Sequence, residues 1–499
     1  MGNTTSITAG RDCLTSATTA VDPYNLNIPV TPAAVTYPQS ADEVAAVVKC
    51  ASDYDYKVQA RSGGHSFGNF GLGGQNGAVV VDMKHFSQFS MDESTFVATI
   101  GPGTTLGNLD TEIYNAGKRA MAHGICPSIR TGGHLTVGGL GPTARQWGLA
   151  LDHVEEVEVV LANSSIVRAS DTQNQDILFA IKGAAASFGI VTEFKVRTEE
   201  APGLAVQYSF SFNLGTPAEK AKFVKDWQAY IAQENLAWKF YSNLIIFDGQ
   251  IILEGIFFGS KEEYDQLDLE KKFPTSEPGT VLVLTDWLGM IGHGLEDTIL
   301  RLVGDSPTWF YAKSLGFTPS TLISNSAIDD LFDYIHKTNA GTLAWFVTLS
   351  LEGGAINAVP KDATAYGHRD VLFWVQIFVA NPLGPISQTT YDFTDGLYDI
   401  LAQAVPESAG HAYLGCPDPK MPDSQRAYWR SNLPRLEELK GDLDPKDIFH
   451  NPQGVQLISS RIITLLKGQE FGLRFYWWTV CIAGVADGST RLLSIDDMG

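Results

Sequence analysis

Residues 61–74 read Arg61-Ser-Gly-Gly-His65-Ser-Phe-Gly68-Asn-Phe-Gly-Leu-Gly-Gly74, and two chemistries compete for this loop. Gly64-His65-Ser66-Phe67-Gly68 fits G-x-S-x-G, the nucleophile elbow of serine hydrolases. An elbow needs a strand before the serine and a helix after it. Lys57–Arg61 alternates polar and apolar residues and passes as the strand. The other side fails, because Gly71, Gly73 and Gly74 put three glycines in four residues where the helix must form. The rival reading survives this test. Arg61-Ser62-Gly63-Gly64 offers successive backbone N–H groups with little side chain in the way, the composition of an anion nest. Neither a G-x-G-x-x-G after a strand nor a Walker A sequence occurs, so the nest belongs to no Rossmann or P-loop site.

The bulk properties narrow the function. At 499 residues the chain is long enough for two or three domains with large cores. A formal net charge of −21 disfavours nucleic acid and anionic membrane surfaces as partners. No apolar run reaches the roughly 18 residues of a transmembrane span; the densest, Phe471 to Val485, is shorter and carries Arg474. The start, Met1-Gly-Asn-Thr-Thr-Ser6, shows no secretory signal, so the chain as written is expected to be intracellular, or secreted if synthesis begins upstream. The same six residues fit a myristoylation pattern, which a disordered leader explains equally well. The five cysteines, Cys13, Cys50, Cys126, Cys416 and Cys481, form no C-x-x-C pair or Cys/His cluster, and H-E-x-x-H is absent. No metal site is expected.

Periodicity places the elements. Ser40-Ala-Asp-Glu43 is a capping box opening a helix with Val44, Val47, Val48 and Ala51 on one face. Cys50 lies off that stripe and could meet Cys13. Strands are expected at Lys57–Arg61, Ala78–Met83, Thr95–Ile100 and Ile190–Val196. A helix is expected over Leu106–Ala116, a short one at Asp176–Ile181, and a hairpin turning at Asn163-Ser164. From about Glu200 the pattern alternates between strands, such as Val206–Phe212, Ile251–Phe258, Phe346–Leu351 and Val371–Val379, and amphipathic helices such as Ala218–Ile231.

Arg61-Ser-Gly-Gly-His65-Ser, taken with His123-Gly-Ile-Cys126-Pro and Thr131-Gly-Gly-His134-Leu-Thr-Val-Gly-Gly139, closely resembles the berberine-bridge-enzyme-like FAD-linked oxidases. These belong to the vanillyl-alcohol-oxidase type of flavoprotein, and the nearest branch is that of the fungal oligosaccharide oxidases. Asn174–Gly183, Ser187–Glu193, Phe310–Leu315, Ala365–Asp370 and Asp444–Phe449 extend the resemblance from about Cys13 to about Val455. It implies an FAD bonded through its 8α carbon to His65 and through C6 to Cys126. It further implies Ser62, Gly63 and Gly64 at the pyrophosphate, Gly133 and His134 near the flavin, and Val191 at the adenine. Such an enzyme takes a hydride at flavin N5 from a small-molecule substrate and passes the electrons to O₂. The resemblance also implies a Cys13–Cys50 disulfide in a secreted protein, and reduced thiols in an intracellular one.

The proton-abstracting machinery departs from that branch. Its Y-x-N-Y-x-D motif reads here Tyr413-Leu-Gly-Cys416-Pro-Asp418, with Cys416 in place of the catalytic tyrosine, and Ser350 stands where its assisting aspartate would be. Cys416 could act as base if a cation lowered its pKa; Tyr413 or Glu352 could serve instead. The expected substrate is therefore an alcohol or amine group of a fungal secondary metabolite. A carbohydrate, or an FAD protein without turnover, is the alternative. The expected architecture is α+β: a leader (1–30), a PCMH-type FAD-binding domain (31–199), and a substrate domain with an antiparallel sheet covered by helices (200–410). A segment returning to the FAD domain (411–455) and an atypical tail (456–499) complete it.

Overall fold

A computed structural model describes residues 23–458 apart from 248, 276–277 and 295–305. Residues 1–22 of the leader and almost all of the atypical tail lie outside the described residues. So does Cys13; Cys50 itself is buried and disulfide-bonded.

Three short parallel strands start the fold, in the order Ala34–Thr36, Val79–Asp82, Val58–Arg61. Val79, Val80 and Val81 are all fully buried, which is why this strand reads as an unbroken apolar run. The helix Ala41–Asp53 packs on it, opened by Ser40, whose hydroxyl accepts from Glu43 N. The returning bond of the box is displaced by one residue: the Glu43 carboxylate accepts from Gln39 N, at 2.7 Å. After Arg61, which pairs with Asp82 at 2.8 Å, the backbone turns through Gly64 at φ +75°. A Cβ there would meet the Arg61 guanidinium at 2.7 Å, so this turn requires glycine. Only a three-residue 3₁₀ turn follows, at Phe70–Leu72, and Ser66 Oγ accepts from Phe70 N at 3.2 Å. No nucleophile elbow forms.

A five-stranded antiparallel sheet continues the chain, in the order Phe89–Met91, Ala98–Ile100, Gly189–Val196, Val154–Leu161, Ile166–Ser170. The hairpin turns where expected, with Ser164 at φ +67°. The strand expected from Thr95 begins only at Ala98. Asp92 accepts from the N–H groups of both Ser94 and Thr95, and Phe96 sits at φ +56°, so a side-chain-capped turn occupies those residues.

Seven antiparallel strands form the third large element. Their order is Thr280–Leu284, Ala205–Phe212, Ile251–Phe257, Phe240–Ile246, Ala344–Leu351, Phe373–Asn381, Trp309–Phe317. Strand alternation sends Val347, Leu349, Leu351, Phe373, Val375 and Ile377 to one face, within the largest core cluster. The helices Pro217–Ile231, Asn325–Lys337 and Gln388–Ala404 contribute to that cluster. The opposite face carries Phe346, Thr348 and Ser350 beside Trp374, Gln376 and Phe378, in the register Ser350↔Trp374 and Thr348↔Gln376. No helix among the described residues is long and apolar enough to cross a membrane.

Past residue 411 the chain returns to the first sheet, where Val58 N donates to Ile448 O at 2.8 Å. A fully buried ion pair holds the return. Lys440 Nζ donates to Asp444 at 2.8 Å and to the carbonyls of Ser187 and Phe449, while Asp444 accepts from the N–H groups of Ile448 and Phe449. Lys440→Met removes the cation and leaves a buried carboxylate. It is expected to lower stability by about 3–5 kcal/mol, read as a lower urea midpoint at unchanged slope.

Candidate functional site

A cavity of about 670 Å³ is lined by the loop after Arg61, the segment 124–137, the stretch 184–191, residues 413–416 and 451–454, and Phe346 and Gln376 of the large sheet. Ser62, Gly63, Gly64, His65, Cys126, Gly133, His134 and Val191 all line it, as do Tyr413 and Cys416. Glu352 does not. It lines an adjoining chamber of about 180 Å³ with Ser350 and Trp374, and Tyr413, Cys416 and Gln376 border both spaces.

The loop is held from behind. Ser62 Oγ donates to Pro102 O at 2.6 Å and Arg130 Nη1 donates to Ser62 O at 3.0 Å, so the serine's hydroxyl is spent on the backbone. A Cβ on Gly63 would meet Arg130 N at 3.1 Å, whereas one on Gly133 would meet nothing within 4 Å and would project into open space. His65 packs against Tyr24, ring centroids 4.9 Å apart. Cys126-Pro-Ser128-Ile129 is a tight turn closed by Ile129 N donating to Cys126 O at 3.3 Å, with Pro127 pre-set for its second position. The turn brings Ser128 Oγ to 3.3 Å from Cys126 Sγ and 3.3 Å from His65 Nε2. Sequence reading did not single out Ser128; the proline turn after Cys126 is the signal that could have found it.

Charge is scarce around the cavity. His134 Nε2 accepts from Gly124 N at 2.9 Å, so its proton sits on Nδ1; burial, with a smaller push from His123, takes the ring down to about 3 and keeps it neutral. Burial also drives the Tyr413 phenol upward, although its oxygen accepts from Gly139 N at 3.1 Å. Burial pushes the Cys416 thiol up to about 12. That is the opposite of what a thiolate base requires, and no cation among the described residues opposes it.

Glu352 is only 3% exposed, and burial raises its carboxyl well above the ordinary range against the opposing charge of Arg145. The Arg145 guanidinium is itself engaged by the backbone carbonyls of Phe240, Ala237 and Glu352. Glu352 Oε2 and Trp374 Nε1 are both buried without a hydrogen-bond partner. Each such atom costs about 1–3 kcal/mol, and both side chains border the same chamber.

Residues 32–170 match the family model described as FAD binding domain, and residues 412–456 the one described as berberine and berberine like. The FAD-linked oxidoreductase sorD of Penicillium rubens is 39% identical over 444 residues, covering 88% of this chain and 93% of its own. The chain belongs to the berberine-bridge-enzyme-like FAD-linked oxidoreductases. Its fold is the family's PCMH-type FAD-binding fold. The solved glucooligosaccharide oxidase of Acremonium strictum, which carries a 6-S-cysteinyl, 8α-N1-histidyl FAD, matches with a TM-score of 0.80 at 31% identity, over 87% of this chain and 94% of that one. The xylooligosaccharide oxidase of Myceliophthora thermophila C1, solved with xylobiose, matches with a TM-score of 0.80 at 29% identity, over 87% and 94%. FAD is the cofactor of this oxidoreductase. The residues present suit it: a cavity within the range of about 300–1,000 Å³ typical of such sites, an open backbone at Gly133, and an imidazole and a thiol together on the wall.

The raised pKa of Glu352 has a measurable consequence. A carboxyl whose folded pKa stands above its unfolded value of about 4.3 keeps a proton that the unfolded chain has released, so stability falls as pH rises past that value. Glu352→Gln abolishes this loss. Between pH 4.5 and pH 7.5 the variant is expected to gain stability relative to wild type, read from urea midpoints at both values; a pH-independent difference would contradict the assignment.

Proposed function

We propose that the protein is a bicovalently flavinylated oxidase that removes a hydride from an alcohol or amine carbon of a small molecule, with O₂ as electron acceptor and a fungal secondary metabolite as substrate. The observation that carries this reading is the meeting of His65 and Cys126 on one cavity wall, joined through Ser128. The relative with a 6-S-cysteinyl, 8α-N1-histidyl FAD supports the same pairing.

FAD supplies the hydride acceptor when bound. Two anchors hold a ring without a closed protein cover, which leaves room for a bulky substrate. The peptide groups of Ser62, Gly63, Gly64 and Gly133 are assigned to the pyrophosphate and flavin, the neutral His134 to the flavin's surroundings, and Val191 to the adenine. Substrate enters from the side of the smaller chamber. There the Glu352 carboxyl and the Trp374 N–H, both short of a partner in the protein, bind and orient its polar end. Tyr413 borders both spaces, so it is assigned the proton of the substrate's hydroxyl or amine; burial holds its phenol above the ordinary range, and the Gly139 N–H offsets only part of that rise. Cys416 remains a neutral thiol. The exchange of the oligosaccharide branch's tyrosine and aspartate for Cys416 and Ser350 favours a non-sugar substrate.

Intact mass spectrometry of the denatured protein tests the anchors. Wild type, His65→Ala and Cys126→Ala are each expected to keep the mass of FAD, since either remaining bond suffices. H₂O₂ release is then screened across aromatic and aliphatic alcohols, amines and oligosaccharides. Tyr413→Phe is expected to lower kcat/KM by about a hundredfold, and Cys416→Ser to leave it little changed. Turnover of oligosaccharides alone would establish a carbohydrate oxidase, and a flavin that no compound reduces would establish a protein that has lost turnover.

A further inference from the structure

We propose that Ser128 couples the two attachment sites, orienting the His65 imidazole for bonding through Nδ1 and supplying a hydrogen bond to the Cys126 sulfur. The inference rests on the double-anchor reading above and assigns a positioning residue to it.

Three facts point to Ser128. Its hydroxyl lies 3.3 Å from His65 Nε2 and 3.3 Å from Cys126 Sγ, so one oxygen serves two groups that are distant in sequence. His65, Cys126, Pro127 and Ile129 line the cavity, and Ser128 stands part-buried between them in the chain, with its hydroxyl turned to both anchors. Its position is also imposed by the backbone: Pro127 and the Ile129 N–H to Cys126 O bond fix the turn that carries it.

A hydroxyl donates one proton and accepts at two lone pairs, so a chain of bonds running through Ser128 from one anchor to the other has two directions. In one, Cys126 S–H points to Ser128 and Ser128 O–H to Nε2, which places the remaining imidazole proton on Nδ1 and removes its lone pair. In the other, Nε2–H points to Ser128 and Ser128 O–H to sulfur; Nδ1 then presents a lone pair and a developing thiolate is hydrogen-bonded. Only the second direction suits both attachments, and only a group that accepts and donates at once can hold it.

The bookkeeping of atoms is the same at each anchor. At His65 an Nδ1–C bond forms and a C–H bond of the 8-methyl group breaks; at Cys126 an S–C bond forms and the C6–H bond breaks. Each attachment releases two protons, one from carbon and one from Nε2 or sulfur, and two electrons. One dioxygen takes both, giving H₂O₂. Ser128 accepts from the Nε2–H that is lost at His65, stabilises the thiolate left when the sulfur's proton departs, and touches neither carbon.

The test compares wild type, Ser128→Ala and Ser128→Thr, purified identically and incubated with FAD in air. Intact mass after denaturation gives total attachment over time, and peptide mapping gives each bond separately. Wild type and Ser128→Thr are expected to carry both bonds. In Ser128→Ala, FAD is expected to bind, with both bonds forming about a hundredfold more slowly. The cysteinyl bond should be recovered as pH rises past the ordinary thiol range near 8.5, a response that a merely structural defect would not show. Ser128→Val beside Ser128→Thr repeats the comparison in side chains of equal shape that differ in the hydroxyl. Complete attachment at both anchors in Ser128→Ala, or a loss confined to one anchor, would overturn the coupling while leaving the double anchor standing. A wild type that releases all its flavin on denaturation would instead overturn the double anchor, and the coupling with it.

Discussion

The site depends on keeping two loops, 61–67 and 124–130, against each other although neither belongs to a long element. Loops carry backbone polar groups that must be paired if they are to border an enclosed space. Here Arg130 donates to the Ser62 carbonyl, Ser62 donates to that of Pro102 in a third segment, and Ser128 lies within hydrogen-bonding distance of His65. Arg61, tied to Asp82, fixes where the first loop leaves its strand, and the positive φ of Gly64 decides where it turns. These hydrogen bonds restrain the wall that carries His65 and Cys126, as the placing of reactive groups demands.

The opposite wall follows from strand alternation in the seven-stranded sheet. One face must be apolar throughout, because helices cover it; the other borders the cavity and can afford Thr348, Ser350, Trp374 and Gln376 among its phenylalanines. Glu352 stands just past the strand end, beside the buried Arg145, and is the one carboxyl among the described residues of that chamber. A carboxyl whose pKa burial raises and an indole N–H, each with a buried atom lacking a protein partner, make a surface that gains hydrogen bonds when something enters. A phenol and a thiol with pKa values raised by burial complete a site whose protein groups are largely uncharged before substrate arrives.

The sequence by itself determined much of the fold and, through a family resemblance, pointed to both proposed anchors. Val79–Val81, the Asn163-Ser164 hairpin and the alternation over Val206–Phe212 were legible because burial of one or both faces dictates residue type at a period of two. The glycines after Ser66 ruled out a helix because no other local force could hold one. His65 and Cys126 were legible through the family resemblance of their two motifs, and the structure brings both to one cavity wall. Thr95–Val97 misled, since the hydrogen bonds of a single aspartate outweighed β-propensity. What only the tertiary structure decided was juxtaposition: that Ser128 bridges residues from two loops, that Glu352 sits in a side chamber rather than the main cavity, and that burial raises the Cys416 thiol instead of lowering it. Proximity and desolvation depend on which distant segments pack together, and no residue carries that in its own neighbourhood of sequence.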